Sequence, residues 1–246
     1  YAAVVTGGVT LAEPSGVAGA APGTTAHGTT AVHVALDTEL RPLDLGLGWI
    51  ATFGLRLARQ PVLAFVTAGT GVGAEPIFRN GTLLATELRF AKSSRNVELA
   101  AASRAGATRI SLSPVTLTEN GVTRDYAAAA NDRDAWALFL DTRLDLRWYD
   151  QPVALKRQAL ETLDPLLHAA VGLRHDERFH RKGDLQPFND PTGRVFFNVG
   201  LHPFRRGAVS AGGSFGFEGA LRGANRLPSG FLASIGATVN LRRLRR

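Results

Sequence analysis

The segment WALFLDTRLDLRW, residues 136–148, alternates apolar and polar side chains with almost no exception. Successive side chains of a β-strand point to opposite faces, so one face carries leucine between two tryptophans and the other carries two aspartates and two arginines. Twelve steps of about 3.3 Å at a tilt of about 40° span roughly 30 Å, the hydrocarbon thickness of a bilayer. Trp136 and Trp148 would then lie at the two membrane interfaces. The pattern favours a transmembrane strand over a long strand of a soluble β-sandwich.

Several other segments repeat this alternation, so the pattern is not limited to residues 136–148. Val32, Val34 and Leu36 alternate with charged and small residues, and the same period recurs in residues 45–57, 84–91, 167–174 and 230–241. The sequence has no run of about 18 apolar residues, so membrane-spanning helices are excluded. Its mean hydropathy is +0.00. A β-barrel hides its membrane signal in alternation and averages to such a value.

The pattern predicts an all-β, transmembrane, antiparallel up-and-down β-barrel that forms a single domain over residues 1–246. We expect about 12 strands, and 10 also fit, because an even number returns both termini to one side. Residues 2–12 form a weak first strand, residues 61–69 a short strand, and residues 194–202 and 208–221 two strands joined by a turn at residues 203–207.

Turn-forming residues, and one segment with helical rather than strand spacing, predict the other connections. A turn is expected at Asn80-Gly81, and a hairpin around Ala105-Gly106 joins residues 96–103 to 108–117. Residues 151–163 have helical spacing, and Asp150 can cap them, so a short amphipathic helix is expected there. Residues 175–191 are strongly polar, as in an external loop.

Charge and composition exclude several classes of function. The net charge is +7 and the sequence pI is about 10.7, but the arginines are spread along the chain, so nucleic acid is not expected as a partner. Cysteine is absent, which removes disulfides and thiolate metal sites. The chain begins at Tyr1 with no methionine, as a processed mature chain would, and a trimmed chain would look identical.

At the level of this pattern, the chain resembles bacterial outer-membrane β-barrel proteins of the small porin type. The resemblance implies a location in the bacterial outer membrane, contact with the bilayer and with lipopolysaccharide-type lipids, and a homo-oligomer or an envelope complex as further partners. The chain departs from the family at its C-terminus. Such proteins commonly finish on an aromatic residue, whereas this chain runs past Leu241 into four arginines.

The sequence gives little support for an enzyme active site. Nucleophilic catalysis on one strand needs a base two positions from the nucleophile, and no His-x-Ser occurs. The one histidine cluster is His175-Asp176 with His180, which is read as a solvated loop rather than a metal or acid–base site. We expect no enzyme activity, with a lipid-modifying barrel as the least favoured alternative, and no metal or cofactor.

Charged residues on the inward faces are the better functional candidates. They either line a water-filled pore or pair across strands and fill a closed interior. The first interpretation predicts a passive, porin-like channel for small anionic solutes, and the second predicts a non-conducting structural barrel that anchors or docks partners. The predicted pore-lining residues are Asp37, Glu39, Arg41, Arg56, Glu87, Arg89, Asp141, Arg143, Asp145 and Arg147. The predicted membrane-interface aromatics are Trp49, Trp136 and Trp148.

Overall fold

The computed structural model describes residues 2–17, 29–67, 74–111, 115–119, 122–126, 134–150, 165–179, 192–222, 228–241 and 244. These ranges contain thirteen β-strands. They are β1 (Ala2–Val17), β2 (Thr29–Glu39), β3 (Leu43–Gly46), β4 (Trp49–Thr67), β5 (Ala74–Ser94), β6 (Val97–Ser111), β7 (Val115–Glu119), β8 (Val122–Tyr126), β9 (Asp134–Trp148), β10 (Leu167–Phe179), β11 (Thr192–Arg206), β12 (Val209–Arg222) and β13 (Pro228–Asn240). Among the described residues, no helix has the length and apolar character needed to cross a bilayer.

Ten of these strands close into an antiparallel barrel. The order is β2-β1-β13-β12-β11-β10-β9-β6-β5-β4, and pairing of β2 with β4 closes the ring. The short strand β3 pairs with the start of β4, and β7 and β8 form a separate hairpin between β6 and β9. The predicted all-β barrel is therefore confirmed, with the smaller of the two expected strand counts.

Burial alternates along the barrel strands as the sequence pattern predicts. On β9, Leu138, Leu140, Leu144, Leu146 and Trp148 are 47–56% exposed, whereas the intervening Phe139, Asp141 and Asp145 are 4–5% exposed. The apolar residues therefore face outward. From Leu138 to Trp148 the strand rises about 33 Å, or about 25 Å along the barrel axis at a tilt of about 40°, which matches the apolar band of a transmembrane barrel.

The two ends of the barrel differ in their connections. At one end, here called the turn end, short turns join β3 to β4, β5 to β6 and β11 to β12. Gly48 and Gly207 have φ of +79° and +59° there, which glycine adopts without strain. Ala2 and Asn240 lie at this end, as does the connection between β9 and β10. The opposite end, the loop end, has the connections β1–β2, β4–β5, β6–β9, β10–β11 and β12–β13.

Several predicted turns are wrong because the strands continue through them. Gly106 lies inside β6, where a Cβ would meet the Leu84 carbonyl oxygen, so this glycine allows close strand packing and makes no turn. Asn80-Gly81 lies inside β5, where it pairs with residues 60–61 of β4. The short strand predicted from residue 61 is the continuation of β4. β11 passes through Pro203 with a shift in register. The predicted helix over residues 151–163 lies outside the described residues.

Candidate functional site in the barrel interior

The structure places nine of the ten predicted pore-lining residues on inward faces of the strands. They are Asp37, Glu39, Arg56, Glu87, Arg89, Asp141, Arg143, Asp145 and Arg147. Arg41 follows the end of β2 and is exposed, because the strand stops at Glu39. That these side chains line a conducting path stays a prediction.

Glu87 is the centre of the largest ion-pair cluster. Its Oε2 accepts hydrogen bonds from Nη2 of Arg104 on β6 and Nη2 of Arg143 on β9, each at 2.7 Å. Arg143 also donates to Asp145 at 3.0 Å and to Asp141 at 3.5 Å. The Arg143 side chain is 11% exposed and those of Asp141 and Asp145 are 6–7% exposed. These charges are therefore shielded from solvent and bonded to one another.

The strand register produces this arrangement. Glu87 lies directly opposite Arg104, Arg104 opposite Asp141, and Asp141 opposite Arg174. Opposite charges in directly paired positions attract, so four neighbouring strands carry a row of alternating sign. Arg174 is also centred 4.3 Å from the ring of Phe139, which suits a cation–π contact.

A second group of ion pairs lies nearer the turn end. Arg89 donates a hydrogen bond to Glu98, and both side chains are almost fully buried. Arg147 approaches Glu98 at 3.8 Å and Asp145 at 3.6 Å. Through Asp145 this group is continuous with the Glu87 cluster. Together the two groups form one charged network on β5, β6 and β9.

Buried apolar side chains lie beside the network at two levels of the barrel. Toward the loop end, Ala35, Ala58, Leu83, Ala85 and Phe139 form a buried cluster that joins β9 to β2, β4 and β5. A second buried cluster joins β4, β5 and β6 at the level of Asp145, between the Glu87 cluster and the Glu98–Arg147 pair. The ion pairs thus lie next to buried apolar side chains, an environment in which an unpaired charge is costly.

Inward charges of both signs occur on the strands whose side chains are described. The carboxylates are Asp37, Glu39, Glu87, Glu98, Asp141, Asp145 and Glu218, and the guanidinium groups are Arg56, Arg89, Arg104, Arg143, Arg147, Arg174, Arg194 and Arg205. Arg56 pairs with Asp37 at 3.1 Å, and Arg194 with Glu218 at 3.3 Å. Carboxylates and guanidinium groups are therefore mixed along this part of the interior wall.

The opposite arc of the wall encloses open space. A cavity of about 340 Å³ lies between β1, β2 and β4 on one side and β11, β12 and β13 on the other. Its polar lining is bonded within itself: Thr10 to His33 at 2.9 Å and Ser214 to Ser234 at 2.6 Å. Arg56 is the ion-paired cation on this lining. The interior thus has a filled arc, along β5, β6 and β9, and an open arc that encloses this cavity.

Inward aromatic rings lie over glycines of neighbouring strands. A Cβ on Gly172 would lie 2.5 Å from the carbonyl oxygen of Thr142 and 2.6 Å from the ring of Phe196. His168 covers Gly200 in the same way, its Nε2 donates a 2.8 Å hydrogen bond to Oδ1 of Asn198, and its ring stacks on His202. These rings fill space that larger residues on the adjacent strands would need.

Sequence reasoning missed several charges of the network. Arg104 and Glu98 lie on β6, which the sequence predicted as a hairpin, so their shared face was not recognised. The alternation of Val97, Leu99 and Ala101 with inward Glu98 and Ala100 was the available signal. Arg174, Arg194 and Glu218 lie on predicted strands but were not selected as candidates.

The three predicted interface aromatics lie on strand positions at the two ends of the apolar band. Trp49 and Trp148 are 38% and 50% exposed at the turn end, and Nζ of Lys92 is 5.7 Å from the Trp49 ring centre. Trp136 lies at the loop end of β9, paired with Arg109 and Phe179, and its side chain is outside the described set.

His175 is exposed on the outward face of β10, and His180 lies outside the described residues. In the described ranges, no three metal-ligating side chains gather.

A closed barrel with an apolar outward band and inward charges defines a transmembrane β-barrel. The predicted fold class, an all-β transmembrane barrel, is therefore confirmed. No family model and no curated protein matches the sequence.

Solved structures show similarity in overall fold. The β domain of the Bordetella autotransporter BrkA is 14% identical, with a TM-score of 0.46 over 98% of this chain and 100% of that one. The translocator domain of the autotransporter NalP from Neisseria meningitidis is 10% identical, with a TM-score of 0.38 over 97% and 88%. A Pseudomonas aeruginosa FadL homologue is 10% identical, with a TM-score of 0.28 over 97% and 89%. At these values we infer nothing about function from them.

Proposed function

We propose that this protein is a structural outer-membrane barrel whose charged network restricts the lumen, and that it anchors or docks envelope partners rather than passing solutes freely. The observation that supports this most is the Glu87 cluster, in which Arg104 and Arg143 both approach one carboxylate within 2.7 Å. Side chains that line a wide aqueous pore extend into water. Here the guanidinium groups extend along the wall into carboxylates of neighbouring strands.

The size of the barrel favours the same function. Eight-stranded barrels have interiors that side chains can fill, whereas porins with 16–18 strands leave an aqueous channel. A ring of ten strands is close to the first case. Arginine and glutamate are long enough to occupy much of such an interior, and two buried apolar clusters lie beside them on the same arc.

A narrow channel is the second candidate, because the opposite arc is open. The cavity of about 340 Å³ is large enough for several water molecules or a small polar solute. Its lining is rich in hydroxyl and amide groups and includes one ion-paired arginine. Because carboxylates and guanidinium groups are mixed along the described wall, we expect weak ion selectivity rather than the strong anion preference expected from total charge.

Planar-bilayer recording distinguishes the two candidates. The refolded protein is added at high concentration to a bilayer under a salt gradient, with folding verified by heat-shifted gel mobility. The structural function predicts an absence of stable unitary currents. Reproducible unitary currents from the folded protein would contradict it, and their reversal potential would then give the ion preference of the channel.

A further inference from the structure

The net positive charge of the chain is concentrated at the turn end of the barrel. The segments that form this end are residues 40–48, 92–96, 149–166, 205–208 and 241–246. They contain eleven of the 28 arginine and lysine residues but only four of the 21 acids, so the remaining seventeen of each sign cancel. By position in the chain, the whole excess of +7 therefore belongs to one end of the molecule.

Three arginines at the turn end are exposed and have no acidic partner among the described residues. They are Arg41 after β2, Arg95 in the turn between β5 and β6, and Arg206 at the end of β11. The two described acids of these segments are engaged elsewhere. Asp44 accepts a 2.9 Å hydrogen bond from the Gly46 amide, and Asp150 pairs with Arg205 at 2.8 Å. The three guanidinium groups are therefore available to a partner outside the barrel.

Arg95 has a backbone conformation that favours other residues. Its φ is +51°, and it is the first residue of the two-residue loop between Ser94 and Val97, which pair directly. Glycine, asparagine and aspartate are the usual residues at such a position, because they tolerate a left-handed φ. Since turn geometry disfavours arginine here, we attribute its presence to the exposed charge.

The three arginines lie on different sides of the barrel mouth. In the order of the ring, Arg41 and Arg95 are about two strands apart, and Arg206 is about four strands from either. Ten strand spacings of about 4.8 Å at a tilt of about 40° give a ring roughly 20 Å across. One lipid headgroup cannot contact charges so widely spaced, whereas a polypeptide with several carboxylates can. Residues 242–246 add four arginines to the chain directly after this end of β13.

We propose that the turn end docks an acidic polypeptide, a face or segment of a soluble envelope protein, through Arg41, Arg95 and Arg206. Guanidinium groups bind carboxylates through paired, charge-assisted hydrogen bonds. A surface of one sign also accelerates encounter with a partner of the opposite sign. The inference rests on the docking function proposed above, and it adds the chemistry of the partner and the end of the barrel that the partner meets.

Peptide binding to the folded barrel tests this docking face. The probe is a fluorescent peptide in which glutamate alternates with glycine, and the reference peptide has glutamine in place of glutamate. Fluorescence anisotropy is measured in a zwitterionic detergent at about 0.15 M salt, where contacts beyond about 8 Å are screened. We expect the parent protein to bind the glutamate peptide at least about tenfold more tightly.

Two triple variants with the same net charge locate the binding face. Arg41→Gln, Arg95→Asn and Arg206→Gln together should lose most of the preference for glutamate. The matched control removes three cations from the loop-end parts of β5, β10 and β12, and it should keep the preference. Its substitutions are Arg79→Gln, Arg178→Gln and Arg222→Gln. Lysine at the three turn-end positions keeps the charge and should retain most of the affinity.

Folding and lipid binding are measured on the same variants. Folding is verified by heat-shifted gel mobility. If the turn-end triple variant fails to fold, Arg95→Asn alone is used, because asparagine suits the left-handed φ, and about a twofold loss of affinity is then expected. Native mass spectrometry compares retention of phosphatidylglycerol with that of phosphatidylcholine, because anionic headgroups are the competing partner.

The outcomes separate this inference from the proposed function. Absence of a preference for glutamate in the parent, or equal losses in the turn-end and loop-end variants, would overturn the docking face. So would a turn-end variant that loses its preference for phosphatidylglycerol while its peptide affinity is unchanged. Unitary currents from a barrel that still binds the glutamate peptide at its turn end would contradict the non-conducting function alone.

Discussion

Arg143 on β9 reaches Glu87 on β5 across the intervening strand β6, with Nη2 2.7 Å from Oε2. Between them, Arg104 of β6 binds the same carboxylate oxygen from its directly paired position. One acid thus joins three strands of the wall. The interior is therefore organised by contacts between strands that are distant in sequence. The charged residues that make these contacts lie on the inward faces that alternation predicts.

Removal of the Glu87 carboxylate should destabilise the barrel. Glu87→Gln leaves Arg104 and Arg143 without their shared anion in a largely enclosed site, and loss of one partner of a buried pair costs about 3–5 kcal/mol. The measurement is the free energy of unfolding in urea with lipid vesicles. Thr86→Ala, a change on the adjacent outward position, is the control. Equal stability of the Glu87 variant and the parent would contradict the role of the cluster.

Alternation in the sequence predicts much of the fold. The outward leucines and inward charges of β9 follow from period-two patterning alone, and so does the use of strands to cross the membrane. Register could not be predicted, because the partner of Glu87 depends on which residue of β6 lies opposite it. Glycine caused the main errors: Gly81 and Gly106 suggested turns, whereas both lie inside strands, and Gly106 allows close approach of β5.

A positive charge on the outward face of β9 should prevent membrane assembly. Leu140 and Leu144 are 50% and 56% exposed on this face, and an arginine there costs about 2–4 kcal/mol near the midplane. We expect Leu140→Arg and Leu144→Arg to lower the yield of heat-resistant, folded protein on gels. Thr142→Leu lies between them and should be neutral or mildly stabilising. Normal assembly of both arginine variants would mean that the outward face is wrongly assigned.

Gly172 should tolerate no side chain. An alanine Cβ would lie 2.5 Å from the Thr142 carbonyl oxygen and 2.8 Å from Arg143 Cβ, so the strands must separate. Overpacking of this kind costs about 1–3 kcal/mol. Gly193→Ala, on the neighbouring strand β11, is a matched control because nothing lies within 4 Å of its Cβ position. Urea unfolding should separate the two variants. Similar unfolding midpoints would contradict the close packing of β9 against β10.

Charge reversal in the network tests the central claim most directly. Arg143→Glu with Arg147→Glu places two new carboxylates beside Glu87, Glu98, Asp141 and Asp145, where like charges repel. Folded fraction and reversal potential are measured on the same preparation in a planar bilayer under a salt gradient. If these residues pair within a restricted interior, the folded fraction falls strongly and no current appears. A well-folded double variant that conducts, with a reversal potential shifted toward cations, would contradict the account.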